Sequence, residues 1–176
     1  PIINMDIIAG LPGETVDNMA YTLQQLALLK PDNITVHTLT IKNGSKLKET
    51  LQYETLPDVN TTIEMVSIAH RQCRALGMVP YYLYRQHYMT GNLENVGFAK
   101  RGTECIYNIK IMEERQTIIG IGPAAGTKAV DFHNWRLKST YHAKDVQSYI
   151  NNLEYHIAKR QNILKQLFDQ EGGCSC

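Results

Sequence analysis

The run Ile3-Asn4-Met5-Asp6-Ile7-Ile8-Ala9-Gly10-Leu11-Pro12-Gly13-Glu14-Thr15 constrains the fold more than any other stretch. Its first half is apolar and rich in β-branched residues, too short for an ordinary helix and closed by Gly10 and Pro12. That is how a strand buried on both faces of a parallel sheet reads. Asp6 interrupts the run. Gly-Leu-Pro-Gly then turns the chain, and Thr15 stands where it can cap a following helix. A carboxylate in such a strand, just before its C-terminal loop, lies where barrels and doubly wound sheets bind ligands. It would equally serve as a cap on local backbone amides, and the residues alone leave both roles open.

Downstream, Val16, Met19, Leu23, Leu26 and Ala27 recur at helical spacing, with Asp17 in the first turn where it suits the helix dipole. Lys30-Pro31-Asp32-Asn33 stops that helix, and Ile34 to Leu39 reads as the next strand, completing a right-handed βαβ crossover. His37 in this strand reads as a satisfied strand histidine rather than a ligand. Lys42 to Val59 is a long polar connection on the ligand-facing side. Thr61-Thr62-Ile63-Glu64 has the form of a capping box, and Ile63, Val66, Ala69, Cys73 and Leu76 make an apolar stripe ended by Gly77. Ile2 to Gly77 is thus expected to be two consecutive βα units.

From Val79 the texture changes. Pro80 to Tyr88 is aromatic with period two, a strand pattern. Tyr107–Met112 and Thr117–Gly122 read as further strands, and Lys128–Phe132 with Trp135–Ser139 as a hairpin across His133-Asn134. Val146, Tyr149, Ile150, Leu153, Ile157, Leu164, Leu167 and Phe168 form a core-packing stripe on one helix or two. The expected division is 1–78 for the βα units and 79–176 for an α+β region.

The 176 residues carry a formal charge of +1, with a pI near 8.1, which gives no electrostatic case for nucleic acid or an anionic membrane. No apolar run approaches a membrane span, and no signal peptide is visible. Cys73, Cys105, Cys174 and Cys176 fit neither paired zinc knuckles nor a disulfide scaffold. Cys73 reads as a small buried hydrophobe, and Cys174-Ser175-Cys176 as a solvated tail, since two thiols do not close a tetrahedral metal site. The six histidines show no chelating spacing, and no nucleophile elbow is present, so ordinary hydrolase chemistry has no support. No metal ligand is assigned.

Two stretches besides the opening one could carry chemistry. Tyr81 to Gly102, YYLYRQHYMTGNLENVGFAKRG, joins a Tyr-rich strand to a loop with Arg85, Lys100 and Arg101. Cations beside aromatic faces suit a flat, carboxylate-bearing substrate. Gly120-Ile121-Gly122-Pro123-Ala124-Ala125-Gly126-Thr127-Lys128 would let a ligand approach the backbone, although it lacks phosphate-loop or dinucleotide spacing.

INMDIIAGLPGET resembles the late-barrel strand and loop of radical S-adenosylmethionine (SAM) enzymes, most of all the oxygen-independent coproporphyrinogen III oxidase/dehydrogenase family with its HemZ-type members and related haem chaperones. Tyr81 to Gly102 is similar to the HemZ-type dehydrogenases. The resemblance implies the last two βα units of a partial TIM-type radical SAM barrel, then an α+β C-terminal region. It implies SAM binding by Asp6, with Thr40 and Gly126 lining the same site, although Pro123 departs from the family's commoner Ala or Gly. It offers Arg85, Lys100 and Arg101 for substrate propionates and assigns no catalytic residue. The implied chemistry is reductive cleavage of SAM at a [4Fe-4S] cluster and decarboxylation of coproporphyrinogen III propionates to vinyls, with a separate electron donor, in the cytoplasm. The cluster motif CxxxCxxC is absent, and the chain starts on a strand, so a C-terminal fragment is expected. A haem chaperone without turnover and an RNA-modifying methylthiotransferase are the alternatives. The near-neutral charge and the lack of a basic tail argue against the second.

Overall fold

A computed structural model describes residues 1–41, 46–50, 55–85 and 90–168. The Cys174/Cys176 tail and parts of the Lys42–Val59 connection and of the Tyr81–Gly102 stretch lie outside the described residues. The chain divides into two compact units, Pro1–Ile106 and Tyr107–Cys176.

In the first unit, β1 (Asn4–Ala9), α1 (Val16–Leu29) and β2 (Asn33–Thr38) form the expected crossover, with β1 and β2 parallel. Thr15 caps α1 in a reciprocal box with Asn18: its hydroxyl accepts the Asn18 amide while Asn18 Oδ1 accepts the Thr15 amide. After a short helix α2 (Lys46–Thr50), α3 (Val59–Ala75) begins earlier than the sequence reading places it. Its cap is Asp58, which accepts the Thr61 amide at 2.7 Å, so Thr61 and Thr62 belong to the first turn. The other end follows expectation. Gly77 and Met78 donate to Arg74 and Cys73 carbonyls, closing the helix with a Schellman pair of bonds.

β3 (Val79–Tyr84) and β4 (Asn95–Ala99) complete a four-stranded sheet in the order β1-β2-β4-β3, with β4 antiparallel to both neighbours. Residues 79–99 therefore extend the sheet begun by residues 4–38, and the seam between compact units falls after Ile106 rather than at 78. One face of the sheet is covered: Ile7, Ala9, Ile34, Val36, Val96 and Phe98 pack with Met19, Leu23, Met65, Val66, Ala69 and Cys73 of α1 and α3. The buried Cys73 thiol is pushed up to about 12 by desolvation, as an inert core residue would be.

The other face of β1 is open. Asn4, Asp6 and Ile8 are exposed, alternating with Met5, Ile7 and Ala9. β1 is thus an edge strand covered on one face, not the doubly buried strand that its apolar run suggests. Ile8, 40% exposed, supplied the misleading continuity.

In the second unit the expected strand Tyr107–Met112 is instead a helix, α4 (Ile106–Glu113). Its isoleucines favour strands, but no partner strand pairs with it among the described residues, and Lys110 reaches Glu113 one turn on at 3.4 Å. Thr117–Gly122 contributes a single bridge, Ile118 to Lys128, rather than a strand. The hairpin is present as β5 (Gly126–Val130) and β6 (Leu137–Tyr141), with a turn pinned by Asp131, whose carboxylate accepts from the His133 amide and Asn134 Nδ2. The terminal stripe forms two helices, α5 (Val146–Asn151) and α6 (Leu153–Phe168), separated at Asn152. α6 packs on β5 and β6 and buries His156 and Leu167, whereas Val146, Ile150 and Leu153 are exposed, so the stripe is core only in its second part.

Candidate functional site

Parallel strands leave a crevice beyond their C-terminal ends, and side chains on the uncovered face project toward it. Asp6 and Ile8 of β1, His37 and Thr38 of β2, Leu39, Thr40, Tyr84 and Asn95 line a pocket of about 370 Å³ there, within the ~300–1,000 Å³ range of small-molecule sites. Asp6 and Thr40, which the family resemblance assigns to one site, both line it.

The polar groups of the pocket are only partly satisfied. Asp6 Oδ1 accepts from Asn4 Nδ2 at 3.0 Å, while Oδ2 faces His37 Nε2 at 3.7 Å, beyond hydrogen-bond length. The carboxylate is 57% exposed, so it carries little burial penalty and can accept a ligand donor. His37 Nδ1 meets the Tyr84 hydroxyl at 3.3 Å. Asn95 Oδ1 accepts the Thr38 amide at 2.8 Å and closes the end of β2. Thr38 Oγ1 is buried without a hydrogen-bond partner. A charged acceptor, the unpartnered Thr38 hydroxyl and apolar Ile8 and Leu39 walls suit a small cationic ligand with hydroxyl and amine donors.

The tyrosines hold the open face in shape. Tyr82 lies over Gly97 of β4, where a side chain on Gly97 would overlap its ring, and reaches Thr35 Oγ1 at 3.2 Å. Burial pushes the Tyr82 phenol up from its ordinary value, the Thr35 bond opposing it. Tyr84 crosses the same strand beside Asn95, its ring parallel to that of Tyr82 within 6°. His37, read from sequence as an ordinary strand residue, is thereby a pocket residue. Tyr84 and Asn95 fall in the Tyr81–Gly102 stretch but are not singled out within it, because only the insertion of β4 between β2 and β3 brings them to the pocket.

The three basic candidates are not brought together. Arg85 directly follows β3 at the pocket end and pairs with Glu94 at 3.0 Å. Lys100 and Arg101 follow β4 at the opposite end of the sheet, roughly 17 Å away at ~3.3 Å per strand residue. There Lys100 pairs with Asp32 at 3.5 Å. The Asp32 carboxyl lies below its usual range, chiefly because it accepts the Ile3 amide and secondarily because of Lys100.

Gly126 lies in the second unit. The glycines of its loop are explained by internal packing: a Cβ on Gly120 would run into the Gly126 backbone, and one on Gly126 would press on the Tyr141 ring at 3.0 Å. His142 Nδ1 donates to the Gly122 carbonyl at 2.8 Å, and Arg160 to that of Gly120 at 3.1 Å. Among the described residues no cluster of three His, Cys, Asp or Glu side chains could hold a metal ion, and no helix is long and apolar enough to cross a membrane. With no CxxxCxxC in the sequence either, these residues do not fit a [4Fe-4S] cluster.

No family model matches the chain. It is 40% identical over 168 residues to the oxygen-independent coproporphyrinogen-III oxidase-like protein HemZ of Bacillus subtilis, an alignment covering 96% of this chain and 34% of that protein. It is 28% identical over 125 residues to the mitochondrial radical S-adenosyl methionine domain-containing protein 1 of Mus musculus, covering 70% and 25%. Among solved structures, the coproporphyrinogen III oxidase HemN of Escherichia coli, a radical SAM enzyme, superposes with a TM-score of 0.57 at 16% identity, covering 86% of this chain and 34% of that one. The chain thus spans about a third of the length of HemZ and of HemN, and the mixed α/β fold agrees with the matching part of HemN. Over that span, the identity to HemZ and the fold shared with HemN support a HemZ/HemN-like radical SAM family.

Proposed function

We propose that this chain is the part of a cytoplasmic, oxygen-independent coproporphyrinogen III dehydrogenase that helps bind SAM. The observation that carries the reading is the meeting of Asp6 and Thr40 in one pocket at the ends of parallel strands. When bound, SAM supplies the radical that starts oxidative decarboxylation of propionates to vinyls; the cluster that reduces it takes its ligands from outside this chain, and the electron donor is a separate partner. The chain's own part is positioning and exclusion of water. Asp6 accepts hydrogen bonds from the amine or hydroxyls of SAM, Thr40 supports them, and Ile8 and Leu39 shield its apolar portions. Gly126 is assigned a backbone contact with SAM by family resemblance. Of the basic residues, Arg85 is best placed for a substrate carboxylate because it follows β3 at the pocket end, where it would exchange its Glu94 partner, while Lys100 pairs with Asp32 at the other end of the sheet.

The test uses the complete protein carrying this chain, reconstituted anaerobically. Incubation with coproporphyrinogen III, SAM and a reductant should give protoporphyrinogen; stoichiometric haem binding without turnover would replace the enzyme with a chaperone. In the same protein, Asp6→Asn should weaken SAM by about ten- to more than a hundred-fold, the worth of a charge-assisted hydrogen bond. Unchanged SAM affinity would remove Asp6 from the site.

A further inference from the structure

Asp6, His37 and Tyr84 make a hydroxyl–imidazole–carboxylate line across the open face. Tyr84 Oη lies 3.3 Å from His37 Nδ1, and His37 Nε2 lies 3.7 Å from Asp6 Oδ2. With the Tyr84 hydroxyl donating to Nδ1, the neutral imidazole presents its Nε2–H to the carboxylate. The Tyr84 end of this line is held in place by its neighbours. Tyr84 stands beside the parallel ring of Tyr82, which is itself fixed over Gly97 and tied to Thr35. At Asp6, one oxygen is held by Asn4 while the other is aimed between His37 and the pocket.

We propose that His37 and Tyr84 are positioning residues that aim the Asp6 carboxylate at a cationic ligand, and that protonated His37 competes with that ligand for the same oxygen. The inference rests on the SAM reading of this pocket and adds its regulation by pH. Among the described residues, the titratable groups in contact with His37 are Asp6 from β1 and Tyr84 from β3, and β4 contributes the uncharged Asn95 to the same pocket. Neutral His37 orients the carboxylate without cancelling its charge. An imidazolium would pair with Asp6 and repel a sulfonium or ammonium close by, so acidification weakens the ligand.

The experiment is calorimetric titration of SAM, and of S-adenosylhomocysteine lacking the sulfonium charge, into the complete reconstituted protein. The pH is stepped from about 7.5 to about 5.5, the span in which histidine charge commonly changes. SAM affinity should fall about tenfold over that span, and that of the thioether, which keeps the ammonium and lacks only the sulfonium, should fall by less. His37→Gln keeps a neutral acceptor and donor and should stay within about threefold of wild type at the upper pH while losing the slope. His37→Phe should lose about tenfold and Tyr84→Phe about fivefold at the upper pH, with thermal melts confirming that each is folded. Wild-type affinity in His37→Phe and Tyr84→Phe, or an unchanged pH slope in His37→Gln, overturns the inference. If Asp6→Asn weakens SAM while these variants do not, the positioning role alone fails. If Asp6→Asn leaves SAM affinity unchanged, the SAM reading fails and this inference with it.

Discussion

The two faces of the four-stranded sheet use the same strands for opposite purposes. On the covered face, Ile34, Val36, Phe98 and their neighbours are apolar and nearly inaccessible, and their contribution is packing against α1 and α3. On the open face, the residues one position along are Asp6, Thr35, His37 and Asn95, joined by Tyr82 and Tyr84 through side-chain hydrogen bonds. Even the histidines divide this way. His70 of α3 packs on Phe98 with Nε2 buried and unpartnered, whereas both ring nitrogens of His37 face polar groups. Stability and binding are therefore separable by single-residue alternation, so the contrast can be broken one face at a time.

The largest effect belongs to the covered face: Phe98→Ala should cost ~3–5 kcal/mol of unfolding free energy, read from urea melts, because a buried aromatic leaves a cavity. A loss below about 1 kcal/mol would mean that the face collapses freely around the gap. Gly97→Ala comes next, at about 1–3 kcal/mol, because Tyr82 must leave its seat over the backbone. Tyr82→Ala in the same chain should recover most of the strain, and an equal loss in both backgrounds would argue against the contact. A smaller effect sharpens the histidine contrast. Burial holds His70 below its ordinary value, with Arg74 also lowering it and Glu94 opposing. The unfolded chain therefore takes up the proton first. The stability that neutral His70 contributes is present above the unfolded value of 6.5 and is lost as pH falls through the lower folded one. The urea midpoint should drop less between neutral and mildly acid pH in His70→Leu than in wild type, and parallel curves would exclude it. The smallest change is expected at Asp6: Asp6→Asn should shift stability by no more than about 0.5 kcal/mol, as at an ordinary surface site. A large drop in melting temperature would make Asp6 a structural residue.

Much of this division was legible in the residues. The crossover from Asn4 to Thr38 followed from two apolar runs around a helical stripe with a capped start, and those local signals agreed with one another. The exposure of β1 was hidden by Ile8 alone, since Met5, Ile7 and Ala9 already alternate with Asn4 and Asp6. α4 was missed because Ile106, Ile109 and Ile111 have strand propensity, which tertiary context overrides when no partner strand pairs with them. Asp6 and Thr40 were found through family resemblance, whereas Tyr84 and Asn95 were not. They enter the pocket by pairings with no local period, and the same pairings carry Lys100 away from Arg85.

The spatial order β1-β2-β4-β3 differs from the order of synthesis, which has a kinetic consequence. β2 can pair with β1 once α1 has formed, but its other edge waits for β4. Between Thr38 and Asn95 the ribosome must add 95 − 38 = 57 residues, about 3–11 s at roughly 5–20 residues per second. During that interval β3 emerges without its final neighbour, and the backbone edge from Asn33 to Val36 stands open with unpaired N–H and C=O groups. Translation speed across residues 39–94 therefore sets how long a nascent chain can be captured by a chaperone or by another copy of itself.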